Sequence, residues 1–184
     1  VGAGYTGLWT AYYLLRADPG IRVTVLEREV AGFGASGRNG GWCSALFPTS
    51  WRWLARRHGP DQATAQLLAV RGSVDEVGSV AAAEGIDCHW ARGGTVAVAR
   101  TPVQLDRARA EVAHALSWSP DRDDAVLLDA DEARARLRAT QVLGGSYTPH
   151  CAAVHPARLV RGLARSVERH GGTIYEQTAV ERIE

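Results

Sequence analysis

Residues 1–15 read VGAGYTGLWTAYYLL, in which Gly2, Gly4 and Gly7 match the pattern G-x-G-x-x-G. In that pattern the first glycine allows a tight turn, the second lets the backbone approach a pyrophosphate, and the third lets a helix pack close to a strand. The turn works when it joins a buried parallel strand to a helix whose N-terminus faces the phosphates. Val1 is the only residue ahead of it that could belong to such a strand. An isolated match equally suits an ordinary strand-to-helix turn, so the reading depends on the residues downstream of Gly7.

Leu8, Ala11, Tyr12, Leu14 and Leu15 fit a buried helix from Tyr5 to about Ala17, which Asp18-Pro19-Gly20 stops. Residues 22–27, RVTVLE, are β-branched and bounded by turn signals, and predict a parallel strand. The strand ends on Glu27, twenty residues after Gly7. There a carboxylate can accept hydrogen bonds from ribose hydroxyls and would repel a 2′-phosphate. Turn and carboxylate together point to a dinucleotide-binding βαβ unit.

The next stretch, AGFGASGRNGGW, predicts a glycine-rich loop. Between Gly34 and Trp42 its backbone N–H groups could fold around anionic oxygens, with Ser36 adding a hydroxyl and Arg38 a permanent positive charge. The alternative is a flexible surface loop. A NAD-only Rossmann domain would instead turn directly into its next helix.

From about Trp51 to Pro149 the alternation breaks. A helix or helix pair is expected in PDQATAQLLAVRGSVDEVGSVAAAEG, a strand in GGTVAVAR, a helix in PVQLDRARAEVAHAL and a short acid-capped helix in DADEARARL. The alternation returns with PARLVRGLARSVERHG, a helix with Pro156 in its first turn and Gly171 at its end. The strand TIYEQ comes next, and VERIE begins another that runs to Glu184. The expectation is an α/β fold, with 1–50 and 151–184 forming a discontinuous nucleotide-binding domain and 51–150 an inserted α+β domain.

All 21 basic residues are Arg, set against 20 acidic ones and interspersed with them. No basic face for nucleic acid is evident, and without Lys this segment supplies neither a P-loop lysine nor a Schiff-base lysine. Cys43, Cys88 and Cys151 are odd in number, far apart and without a CxxC pair. They argue against a disulfide framework or zinc site and for a reducing cytoplasm. No apolar run reaches the roughly 18 residues of a membrane span, so neither a membrane nor a metal is expected as a partner. The chain contains no Met. Loss of an initiator before Val1 would look the same, but with the missing first strand this reads as a fragment truncated at both ends. On that reading the 184 residues alone would bind cofactor poorly.

VGAGYTGLWTAYYL, VLERE, GASGRNGGW and AAVHPARLVRGLA together resemble the D-amino-acid-oxidase-type FAD-dependent oxidoreductases. Within that group GASGRNGG is most similar to the gamma-glutamylputrescine oxidase branch of amine oxidases. The resemblance implies FAD on a glutathione-reductase-type Rossmann-like sheet, with an inserted antiparallel sheet covering the flavin. It implies oxidation of a C–N bond of a small amine or amino acid, by hydride transfer to flavin N5, imine hydrolysis and reoxidation, usually by oxygen. Carried onto this chain, it puts Gly2, Gly4 and Gly7 against the FAD pyrophosphate and Glu27 on the adenosine ribose. Ala35 and Ser36 would lie near the pyrophosphate, and Arg38, Asn39, Gly40 and Gly41 towards the flavin ring. Val180 would meet adenine through its backbone, although an apolar residue entering a strand is also plain core.

No residue pattern identifies a catalytic group, as expected where the cofactor carries the hard step. His155, ahead of Pro156, could face the flavin edge or hold its local turn. Trp42 and Trp90 could wall a substrate site by stacking, although packing is the commoner use of Trp. The other five histidines read as surface or structural residues, and Cys43 as an inert buried thiol. A NAD-dependent dehydrogenase and a non-catalytic nucleotide-binding scaffold remain the alternatives. The first leaves the insert and second loop without a role, and the second leaves the loop residues unexplained.

Overall fold

The computed structural model describes residues 1–119 and 121–183; Pro120, within the expected insert, and Glu184, the end of the expected last strand, lie outside the described residues. In chain order the elements are α1 (Tyr5–Ala17), β1 (Thr24–Leu26), α2 (Ala35–Arg38), β2 (Trp42–Ser44), α3 (Trp51–His58) and α4 (Pro60–Ala83). Then come β3 (Ala91–Arg92), β4 (Thr95–Ala99), α5 (Pro102–Leu116), β5 (Val126–Leu128) and α6 (Ala130–Arg136). The chain continues through β6 (Gly144–Thr148), β7 (Cys151–Ala153), α7 (Pro156–Arg169) and β8 (Thr173–Tyr175). Two compact units result, one of Val1–Trp42, Val77–Ala91 and Ala153–Glu184, the other of Cys43–Glu76 and Arg92–Ala152. The units therefore divide the chain differently from the expected 51–150 boundary, because Val77–Ala91 packs within the first.

In the first unit β1 and β8 pair in parallel, in the register Thr24↔Thr173, Val25↔Ile174 and Leu26↔Tyr175. Gly2 N–H donates to Leu26 O at 2.8 Å, so the chain entering the first turn lies along β1. The helix α1 buries Leu8, Ala11, Tyr12 and Leu15 at helical spacing. It ends where Asp18 N–H bonds Leu14 O and the Asp18 side chain accepts from Gly20 N–H. The helix α7 starts on Pro156, and after it Gly171 adopts a φ of 92°. Its Val160, Leu163 and Val167 join Ala3, Leu8, Tyr12, Val25 and Val80 in one core. Each fully buried leucine there contributes about 1.5–3 kcal/mol.

Of the two alternatives for PDQATAQLLAVRGSVDEVGSVAAA, the single helix forms, 24 residues long. One sequence expectation changes. The strand expected from Val180 is not formed among the described residues. Thr178 N–H still donates to Glu27 O, but Gln177, with a φ of 51°, has already turned the chain out of the extended run.

The second unit contains an antiparallel sheet of order β4-β6-β5. Leu128, Ala133 and Val142 form its small core with Val96, Val98, Val126 and Tyr147. Thr101 with Gln104 and Asp129 with Glu132 make reciprocal caps that start α5 and α6, the latter being the acidic cap expected. Buried Asp124 accepts hydrogen bonds from Arg71 and Ser119 and lies 2.6 Å from His150 Nε2. A further three-stranded sheet runs β2-β7-β3.

Glu84 fixes Val77–Ala91 within the first unit. Its carboxylate accepts from Tyr12 Oη at 3.0 Å, Ser166 Oγ at 2.6 Å and Arg169 at 3.0 Å, and meets His170 Nε2 at 2.9 Å. Burial alone would raise its pKa, but the bonds from Ser166, His170, Tyr12 and Arg169 prevail and lower it to about 2. A depressed carboxylate pKa gives stability that is present above the unfolded value of about 4.3 and is lost as pH falls through the folded value. With its side chain 13% exposed and two partners half in solvent, Glu84→Gln is expected to cost about 2 kcal/mol at pH 7. The difference from wild type should shrink steadily between about pH 4 and pH 2, as read by urea unfolding across that range.

Candidate functional site

The first turn is built by close approach. Gly2 has a φ of 91°, and a Cβ on Gly7 would stand 2.0 Å from Gly2 O. Only glycine at residue 7 lets α1 settle on the turn. Gly4 is the N-cap of α1, and a Cβ there would lie 2.9 Å from Ser36 Oγ. That hydroxyl accepts Tyr5 N–H at 2.9 Å, while Tyr5 Oη donates to Pro156 O at 3.0 Å. Between the glycines, Ala3 is fully buried, and its carbonyl accepts Gly32 N–H at 2.9 Å.

The loop after β1 repeats this construction. Gly32, Gly34 and Gly37 carry the same G-x-G-x-x-G spacing thirty residues after Gly2, Gly4 and Gly7. Gly32 has a φ of 76°, Gly34 is the N-cap of α2, and a Cβ on Gly37 would stand 2.2 Å from Gly32 O. The repeated spacing is visible in the sequence but is hidden by reading the stretch as one glycine-rich loop. Ala35, Ser36 and Arg38 therefore lie on a helical turn rather than in a loop. Asn39 closes that turn, its Nδ2 donating to Ala35 O and Ser36 O and its Oδ1 accepting Gly41 N–H at 2.9 Å. The Arg38 guanidinium sits 4.2 Å over the Phe33 ring, a cation–π contact. Gly40 is exposed, whereas Gly41 is buried, accepts Val154 N–H at 2.9 Å and leaves no space for a Cβ.

Glu27 joins the parts. Its Oε2 accepts Ala3 N–H at 2.7 Å and its Oε1 accepts Glu29 N–H at 3.0 Å. Burial would raise its pKa, but the N–H groups of Glu29 and Ala3 hold it below the ordinary carboxylate range. An ionised carboxylate has about four acceptor sites, so two backbone bonds leave capacity for a diol. Gly2, Gly4, Gly7, Glu27 and Ser36 are thus brought together by direct contacts.

The remaining candidates stand apart from that cluster. Trp42 is 56% exposed, at the start of β2. His155 is the N-cap of α7, with its Nδ1 accepting Arg158 N–H and its own N–H donating to Cys88 O at 2.7 Å. The local-turn role is the one its contacts display. Trp90 packs in the cluster around Ala81, Cys88 and Leu159, where its ring closes on Gly78. Val180 is half-buried outside any strand, and Cys43 is half-buried rather than buried. Among the described residues no group of three or more His, Cys, Asp or Glu could hold a metal ion, and no helix is long and apolar enough to cross a membrane.

These residues fit a dinucleotide cofactor. The first N–H groups of a helix have no intrahelical partner; α1 begins at one glycine turn with a second beside it, its Tyr5 N–H meets the Ser36 hydroxyl, and the Glu27 carboxylate meets Ala3 N–H just ahead of it.

Comparison with known proteins agrees. Gamma-glutamylputrescine oxidoreductase from Escherichia coli (strain K12) is 32% identical over 189 residues, which cover 100% of this chain and 42% of that protein. Glycine oxidase from Bacillus cereus ATCC 14579 superimposes with a TM-score of 0.71 at 24% identity, covering 100% of this chain and 47% of that one. L-alpha-glycerophosphate oxidase from Mycoplasma pneumoniae, solved with FAD bound, gives a TM-score of 0.74 at 16% identity, covering 98% of this chain and 44% of that one. The chain thus spans under half the length of these relatives. The family described as FAD dependent oxidoreductase (DAO) matches residues 1–184, and the chain belongs to it.

Proposed function

We propose that the first unit holds FAD and that the full polypeptide oxidises a C–N bond of a small amine or amino acid. The observation that carries this reading is the joining of α1, Ser36 and Glu27 around one turn, through Tyr5 N–H to Ser36 Oγ and Ala3 N–H to Glu27. In this reading Gly2, Gly4 and Gly7 leave room for the pyrophosphate against the α1 N-terminus. Ala35 and Ser36 flank it, and Glu27 accepts the ribose hydroxyls. Arg38, Asn39, Gly40 and Gly41 lie towards the flavin ring, and the Val180 backbone meets adenine. Bound FAD supplies the two-electron acceptor that C–N oxidation requires. The chain's own contribution is position: Asn39 holds the turn carrying Arg38, and Glu27 keeps its negative charge through the physiological range.

The name of the Escherichia coli relative supports an amine as substrate, and that of the Bacillus cereus neighbour an amino acid. Trp42 and His155 are the candidates on this chain for the substrate side. The imine product would be hydrolysed by water, with oxygen as terminal acceptor. Three free cysteines suit a reducing cytoplasm, and residues 51–150 are assigned to the substrate domain.

Anaerobic addition of a panel of amines and amino acids to the purified full polypeptide is expected to bleach the flavin absorption with at least one of them. Colour unchanged by every member, with free FAD excluded, would remove the C–N reading. Ser36→Ala deprives Tyr5 N–H of its acceptor and opens the floor beside Gly4. It is expected to weaken FAD binding about tenfold and to lower the melting temperature by a few degrees at most (~1 kcal/mol), as measured by titration and thermal unfolding of the apoprotein.

A further inference from the structure

We propose that residues 46–58 of the second unit form a peripheral docking surface for an anionic lipid bilayer. The absence of a spanning helix among the described residues bears on crossing a membrane and leaves surface attachment open.

The segment is unusual in charge. Between Glu29 and Asp61 the sequence has no acidic residue, while Arg38, Arg52, Arg56 and Arg57 are all basic. The helix α3, WRWLARRH, places three arginines and His58 in eight residues and buries none of its side chains. None of these arginines is paired with a carboxylate among the described residues. Arg57 instead lies 5.6 Å from the Trp53 ring centroid.

The segment also carries exposed apolar side chains beside these charges: Leu46 is 68% exposed and Trp53 46%. The Phe47 and Trp51 rings, both half-buried, stack 5.4 Å apart at an interplanar angle of 19° and join the preceding loop to the helix. Half-buried Leu54 lines a cavity of about 480 Å³ with His58, Gln62, Ala63 and Gln66.

Trp prefers the headgroup boundary, where its apolar rings and its indole N–H are both satisfied. Arginines beside it can keep their guanidinium groups at the phosphates while their stems cover apolar surface. A protein partner covering the same patch would need a matched set of carboxylates, whereas an anionic bilayer supplies diffuse negative charge for each arginine. Two helical turns can lie in the plane of the interface, so attachment is reversible and sensitive to salt.

The test is co-sedimentation of the full polypeptide with vesicles of phosphatidylcholine alone and of phosphatidylcholine with about one third phosphatidylglycerol. Binding is expected only to the anionic vesicles, with a blue shift of tryptophan emission, and should be lost on raising salt from about 0.1 to 0.5 M. Arg52→Gln, Arg56→Gln and Arg57→Gln together should weaken it about 100-fold, near fivefold for each charge. Trp53→Ala with Leu46→Ser should weaken binding to the anionic vesicles about tenfold and reduce the blue shift of tryptophan emission. Arg107→Gln, Arg109→Gln and Arg138→Gln, all exposed in the same unit, should leave binding unchanged. Failure of the wild type to bind anionic vesicles, binding indifferent to salt, equal loss in both triple variants, or preference for RNA over vesicles would each overturn the proposal. The wild-type salt and lipid comparison decides the matter even if a variant does not fold.

Discussion

The site depends on one approach of backbone to backbone: α1 sits so close to the Gly2 carbonyl that residue 7 has no room for a Cβ. The approach fixes where the helix N-terminus points. It also brings Ala3 N–H within 2.7 Å of the Glu27 carboxylate and Tyr5 N–H within 2.9 Å of Ser36 Oγ. Three segments distant in sequence are thereby registered by short hydrogen bonds to backbone N–H groups. A side chain at residue 7 would lift the helix and break both bonds together.

The same device appears twice, and the second use supports the first. Gly37 approaches Gly32 O much as Gly7 approaches Gly2 O, and Gly32 N–H reaches back to Ala3 O. The two turns therefore hold each other, with Ser36 belonging to one and capping the helix of the other. Asn39 bonds Ala35, Ser36 and Gly41 across the end of the second turn. Position at this site comes from glycines and short polar side chains rather than from long charged ones, which suits a surface that must lie flat against a bulky cofactor.

Features governed by local spacing were legible in the sequence. Gly2, Gly4, Gly7, the α1 periodicity, Glu27 at the end of β1, and the Asp129 cap are all read within one element or its turn. What depends on distant partners was not. The assignment of Val77–Ala91 to the first unit rests on Glu84 meeting Tyr12, Ser166 and His170, residues 72 or more positions away in sequence. The bond from His155 N–H to Cys88 O likewise joins residues far apart in sequence, and no local pattern announces it. The strand expected at Val180 fails at Gln177, whose left-handed backbone no composition rule anticipates. The second G-x-G-x-x-G was readable and was obscured by the surrounding glycines.

The central claim is that the glycine turn at α1 is the seat of FAD. It is tested most directly by the FAD content of the full polypeptide, purified side by side as wild type and Gly7→Ala, with circular dichroism to establish that both fold. About one FAD per wild-type chain is expected, and less than about a tenth of that in the variant, since the added methyl meets a backbone oxygen that cannot yield. A wild-type protein that stays colourless after reconstitution with FAD, or a folded Gly7→Ala protein that retains its full FAD, would contradict it.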